Sequence, residues 1–146
     1  MGQYHVVVNW DKKEFINPHE LGLGLKQGEQ LGSFRATMGD IIYLLLAISN
    51  GRGGGDVPTE GIEHLLGRWA GDRVFVAGDY ATPDDIHIDD APEAYSAYNQ
   101  VMNKDNGWTN LSGEIAIMVL KLWGVELSGE TGWKTRKRVN DNAYLA

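Results

Sequence analysis

The chain opens with a run of β-branched and aromatic residues, Tyr4 to Trp10 (YHVVVNW). Such a run predicts a strand inside a sheet. Asp11-Lys12-Lys13 reads as a polar turn and Glu14-Phe15-Ile16 as a short returning strand, which together make an N-terminal hairpin. Asn17-Pro18 ends it, because proline cannot donate to a ladder and restricts the residue before it. Residues 19–33 scatter Leu21, Leu23, Leu25 and Leu31 among four glycines, so a packed but irregular segment is expected.

Thr37-Met38-Gly39-Asp40 has the form of a capping box. It predicts a helix to about Ser49 whose residues Ile41 to Ile48 are apolar on nearly every side. That pattern implies burial all round, in the centre of the domain or in an oligomer interface. Asn50-Gly51-Arg52-Gly53-Gly54-Gly55-Asp56 cannot be a regular element. Ile62–Ala70 and Arg73–Asp79 flank Gly71-Asp72 and predict a second hairpin; the alternative is a helix over 60–69 followed by a single strand. Tyr80 to Asp90 reads as an acidic loop. Asp90-Ala91-Pro92-Glu93 is a helix start with Asp90 as cap, leading to a face of Ala94, Tyr95, Tyr98, Val101 and Met102 that stops at Asn106-Gly107. Thr109 or Asn110 caps a third helix carrying Leu111, Ile115, Met118, Val119, Leu122 and Trp123 at helical spacing, closed by Gly124. Val125-Glu126-Leu127 and Gly132–Arg136 suggest a last hairpin around residues 128–131. With no repeat and no linker, the expectation is one α+β domain over residues 1–146, mainly an antiparallel sheet of hairpins packed against about three helices.

Composition narrows the function. Among the 146 residues there is no Cys, which excludes disulfides, Cys-ligated zinc, iron–sulfur clusters and a thiol nucleophile. A hydrophobic fraction of 42% is that of a folded domain. The formal net charge of -7 disfavours generic nucleic-acid binding. Residues 131–146 hold Lys134, Arg136, Lys137 and Arg138 against Asp141, a net of +3 that leaves -10 on the remainder. Such a basic tip suits an anion or an acidic partner surface, or is simply a solvated strand and tail. The start Met1-Gly2-Gln3-Tyr4-His5 reads as no targeting segment, and Val6 stands where a myristoylation signal needs Ser or Thr. The apolar stretch Ile41–Ile48 is too short to span a bilayer, so a cytoplasmic protein without membrane contact is expected.

The glycine loop is the most specific chemical feature. Successive amides without Cβ atoms form nests for anions, and a guanidinium adds a bidentate contact. Arg52, Gly53, Gly54, Gly55 and Asp56 are therefore candidate ligand-binding residues, joined by Trp69, Arg73 and His19. The loop is neither a P-loop nor a dinucleotide fingerprint, since no Gly-Lys-Ser/Thr follows and no G-x-G-x-x-G opens a helix. Asp79, Asp84, Asp85, Asp89, Asp90 and Glu93 crowd a run without a basic residue but lack EF-hand spacing. The four histidines show no H-E-x-x-H pair. No metal or cofactor is expected. The five tryptophans form either a stacking wall or core.

Met1-Gly2-Gln3-Tyr4, Asn17-Pro18-His19, Gly51-Arg52-Gly53-Gly54-Gly55-Asp56, Trp69-Ala70-Gly71-Asp72-Arg73 and Gly78-Asp79-Tyr80 resemble a pattern in a group of small bacterial and phage-associated proteins. Trp108-Thr109-Asn110-Leu111 and Gly132-Trp133 extend it over most of the chain. His5 departs from it, standing where an aromatic residue, often Tyr, is expected. The resemblance implies a compact cytoplasmic domain and carries no activity, cofactor or catalytic residue. Three expectations follow. The first is a binding protein for a small anionic ligand, such as a nucleotide, at the glycine loop. The second is a protein–protein adaptor or phage-encoded inhibitor with no small ligand. The third is a small hydrolase using His19 with Asp56, Asp72 or Asp79. A homo-oligomer is compatible with each.

Overall fold

The computed structural model describes residues 2–23, 27–31, 37–103, 107–126 and 137–138. The N-terminal hairpin forms as the pattern requires. β1 (His5–Asn9) and β2 (Glu14–Ile16) pair antiparallel, with Val8 opposite Phe15. β3 (Val74–Gly78) lies antiparallel on the other side of β1, with Val7 opposite Val76. β4 (Thr109–Asn110) joins β2 in parallel. The result is a mixed four-stranded sheet in the order β3-β1-β2-β4, with β3 and β4 at its edges.

Strand alternation explains why β1 reads as an unbroken apolar run: it is covered on both faces. Val6, Val8, Trp10, Phe15 and Ala77 lie under Ala91, Ala94, Ala97 and Val101. Val7 and Ile16, on the opposite face, join the larger core of Ile41, Leu45, Leu65, Trp69, Ile115 and Leu122. The helices that supply these layers are α2 (Met38–Leu46), α3 (Ala97–Met102) and α4 (Ser112–Trp123), while a single turn, α1 (Gln27–Gln30), adds none of these core residues. The architecture is α+β, as expected.

α2 starts at the capping box. Thr37 Oγ1 accepts the Asp40 amide at 3.5 Å, and the Asp40 carboxylate accepts the Thr37 amide at 3.0 Å. It is not buried all round. Met38, Ile41, Leu44 and Leu45 form a single inward stripe, while Tyr43 is 72% exposed and, beyond the helix end, Ile48 is 76% exposed. Spacing of three and four residues selects one face; Ile42 flanks it half-buried, and Tyr43, Leu46 and Ile48 face solvent.

The expected 62–79 hairpin does not form. Residues 62–72 wind through successive turns, with Leu65 N–H bonded to Ile62 O, Arg68 to Leu65, Ala70 to Gly67 and Asp72 to Trp69. Gly67 and Gly71 take left-handed φ values of 72° and 82°, which no regular strand contains. The segment crosses the end of α2, where the Gly67 and Trp69 amides reach Leu44 O and Leu45 O at 2.9 Å. β3 therefore pairs with β1. The alternative of a helix over 60–69 followed by one strand is met only in its strand, since residues 60–69 form turns and not a helix.

Asp90 does not cap a helix. Its φ of 60° puts it in a left-handed turn, and the chain enters a 3-10 turn at Pro92–Ser96 before α3. Ala94 and Val101 are buried as expected, but Ala97 shares the inner face and Met102 is exposed. α4 forms with the expected inner face, but neither Thr109 nor Asn110 is its N-cap: Leu111 holds that position and Thr109–Asn110 form β4. The Asn110 carboxamide oxygen accepts the Ser112 amide at 2.9 Å, and Ile115, Met118, Val119, Leu122 and Trp123 point inward. After Gly124, β5 (Val125–Glu126) pairs antiparallel with β6 (Lys137–Arg138). Leu25, Asn106, residues 127–136 and Asp141 lie outside the described residues, and with them most of the basic tip and of the last hairpin. Among the described residues, no helix is long and apolar enough to cross a membrane.

Candidate functional site

The glycine loop does build an anion cradle, and its own side chain fills it. Asp56 Oδ2 accepts the amides of Arg52 at 2.9 Å and Gly53 at 3.1 Å. These two N–H groups, Arg52's first, hold the Asp56 carboxyl below its ordinary range. The Asp56 amide returns a bond to Gly53 O at 3.2 Å. Arg52, Gly53, Gly54, Gly55 and Asp56 are all exposed, and the Arg52 guanidinium has no ion pair among the described residues.

The other candidates lie elsewhere and are committed to structural bonds. Trp69 is fully buried, and its indole N–H donates to Glu14 at 2.8 Å. Arg73 grips Asp11, its amide donating to Oδ2 at 2.7 Å and its Nε to Oδ1 at 2.8 Å, and its Nη1 reaches Asp89 O at 2.9 Å. The Arg73 guanidinium holds the Asp11 carboxyl below its usual range. His19 sits in a 3-10 turn (Pro18–Leu21) capped by Asn17 and is exposed. No hydrogen bond or ion pair joins it to an acid among the described residues. Asp72 is taken by Asn9 at 2.9 Å and by Lys12, and Asp79 accepts the Tyr4 amide at 3.0 Å. Among the described residues, no group of three His, Asp or Glu side chains is arranged to hold a metal. Trp10 and Trp108 lie with ring centroids 5.8 Å apart and planes tilted by 58°, and the chain's own Lys13 ammonium lies 3.2 Å from the Trp10 centroid.

The structure brings together a different set of residues, along the outer edge of β3. At the ends of the β1–β3 ladder, Trp10 N–H bonds to Arg73 O at 2.8 Å and Asp79 N–H to Tyr4 O at 3.0 Å. In an antiparallel ladder the backbone groups alternate in direction. Phe75 and Ala77 therefore turn theirs towards β1, and Val74 and Val76 turn theirs outward. Among the described residues, nothing pairs with those outward groups of Val74 and Val76.

A half-open cleft of about 290 Å³ runs beside this edge. Phe75, Val76, Ala77 and Gly78 all line it. Four successive strand residues share one cleft only if it follows the strand's edge, since either face shows alternate residues. Ile86, His87 and Ile88 form the facing wall, with Ile86 and Ile88 packed down onto the sheet. A second cleft of about 450 Å³ shares Phe75, His87 and Ile88 and continues past Asp72, Arg73 and Asp89. Of the ligand-binding residues expected from the sequence, Arg73 alone lines this double groove, and its bond to Asp89 O ties the wall to the hairpin turn. The VFV run announced a strand; that it would be an edge depended on which strands pair, which the local pattern does not carry.

Compared with models of protein families, with curated proteins and with solved structures, the chain matches none.

Proposed function

We propose that the protein is an interaction module that receives an extended segment of a partner protein along the free edge of β3. The carrying observation is that the outward backbone groups of Val74 and Val76 have no partner among the described residues and lie beside a groove open along the strand. An exposed edge is a template for one further strand, with main-chain bonds supplying affinity and side-chain pockets supplying selectivity. Natural edges are usually blunted by a lysine, proline or bulge; Val74-Phe75-Val76-Ala77-Gly78 contains no lysine or proline. The test is selection of binders from a displayed library of random peptides, followed by Val76→Pro. Proline there removes an outward N–H and leaves the β1 ladder intact. Selected peptides should lose at least about tenfold in affinity for that variant if they add as a strand. An empty selection, or binders indifferent to Val76→Pro, would refute the reading.

A second reading keeps the small anionic ligand. The exposed Arg52 and the ready-made cradle of amides favour it, with the Asp56 carboxylate marking where an anion sits. A ligand phosphate would have to displace that carboxylate. Thermal melting against inorganic phosphate and a nucleotide panel tests it, with Arg52→Ala expected to abolish any shift.

A further inference from the structure

The groove beside β3 also has a charge, and that selects among partner segments. Its two clefts are lined by Asp72, Asp85 and Asp89 against the single guanidinium of Arg73. Arg73 is already neutralised by Asp11, and Asp72 by Lys12. Asp85 and Asp89 remain without an ion pair among the described residues, both exposed on the wall. Residues 74–103 hold six acids and no Lys or Arg, so no cation from that run answers them.

An added strand presents its side chains alternately to the two faces of the sheet. On the wall side it meets Asp85 and Asp89. On the other side it meets Val76, a strand residue left 47% exposed. We infer that the groove takes an extended segment in which Lys or Arg alternates with aliphatic residues, the cations over the Asp85–Asp89 wall and the aliphatics against Val76. The inference rests on the edge reading above and adds the partner's chemistry to it. Main-chain pairing fixes the register, and charge complementarity then decides which segments are admitted and how fast they arrive.

The experiment uses the full chain and two fluorescein-labelled, end-capped hexapeptides, one of alternating Lys and Val and one of alternating Glu and Val, read by fluorescence anisotropy. The Lys peptide should bind and the Glu peptide should not. Val76→Pro, checked by circular dichroism to be folded, should weaken the Lys peptide at least about tenfold, since strand addition needs the outward N–H. Asp85→Asn with Asp89→Asn should weaken it several-fold, and raising NaCl to about 0.5 M should do the same to the unaltered protein. Equal binding of both peptides, or indifference to the double Asn variant, overturns the charge inference and leaves the edge reading standing. Binding of the Lys peptide that Val76→Pro does not alter is attraction to an acidic body alone and overturns both. If neither peptide binds, the charge inference falls; the peptide-display selection then decides the edge reading by itself.

Discussion

The Trp69 indole donates its N–H to the Glu14 carboxylate at 2.8 Å, fixing the turn-rich segment 62–72 to the second strand of the sheet. The same carboxylate accepts Arg68 Nε at 3.0 Å and Nη2 at 2.5 Å. Burial alone would push Glu14 up. The bonds from Arg68 and Trp69 outweigh it and hold the carboxyl below its ordinary range. Glu14 is buried and Arg68 is partly open to solvent. Glu14→Ala should cost about 2–3 kcal/mol, because it strands a buried indole N–H and leaves the half-open Arg68 guanidinium unpaired. A group whose folded pKa is depressed stabilises the fold above its unfolded pKa and loses that contribution as pH falls through the folded one. Melting temperature should therefore fall on the acid side, from about pH 5 downward, and Glu14→Gln should flatten that slope. Denaturant melts of both variants across pH check it.

α2 carries two neighbouring positions whose substitutions should differ sharply in effect. Ile41 is fully buried, and Ile41→Ala should cost about 2–5 kcal/mol. Tyr43 faces water, and Tyr43→Ser should change stability by no more than about 0.5 kcal/mol. Equal losses at both positions would mean that the outer face is covered in solution by another chain, and sedimentation would then show an oligomer.

How legible this molecule is from its sequence depends on the range of the interaction concerned. Local rules found the β1–β2 hairpin, the Thr37–Asp40 capping box and the inner face of α4, because each is set by residues within one or two turns. They failed for 62–79. Arg73–Asp79 has strand chemistry whatever its partner, and the choice of β1 over 62–70 is made by tertiary contacts more than 60 residues apart. The same limit governs the site. An acid four residues from Arg52 was visible, but that its carboxylate would occupy the cradle was not. Trp69 looked available for stacking because its hydrogen-bond partner, Glu14, lies 55 positions away.

The Asp56 bonds give a prediction independent of any ligand. The carboxyl is fully exposed and its pKa is lowered by the Arg52 and Gly53 amides. Loop order tied to it should be present at neutral pH and fade as pH falls through that depressed value. Amide exchange at Arg52 and Gly53 should be protected in the unaltered protein, after correction for the intrinsic rate, and unprotected in Asp56→Ala. Global stability should change little, since the loop covers no core residue.

Two glycines in the 62–72 segment sharpen the account of why it is not a hairpin. Both have left-handed φ, at 72° for Gly67 and 82° for Gly71, but their surroundings differ. A Cβ at Gly71 meets nothing within 4 Å, so Gly71→Ala should cost only the backbone strain, about 1–2 kcal/mol. A Cβ at Gly67 would stand 2.8 Å from the carbonyl oxygen of Ala47, which closes the end of α2. Backbone cannot move aside there without breaking the Gly67 and Trp69 bonds to Leu44 and Leu45. Gly67→Ala should therefore cost clearly more than Gly71→Ala, by at least about 1 kcal/mol for the added steric clash. Denaturant melts of the two variants read the difference directly. In a 62–79 hairpin Gly71 is the turn residue and Gly67 an ordinary strand position, so the order of the two losses would be reversed.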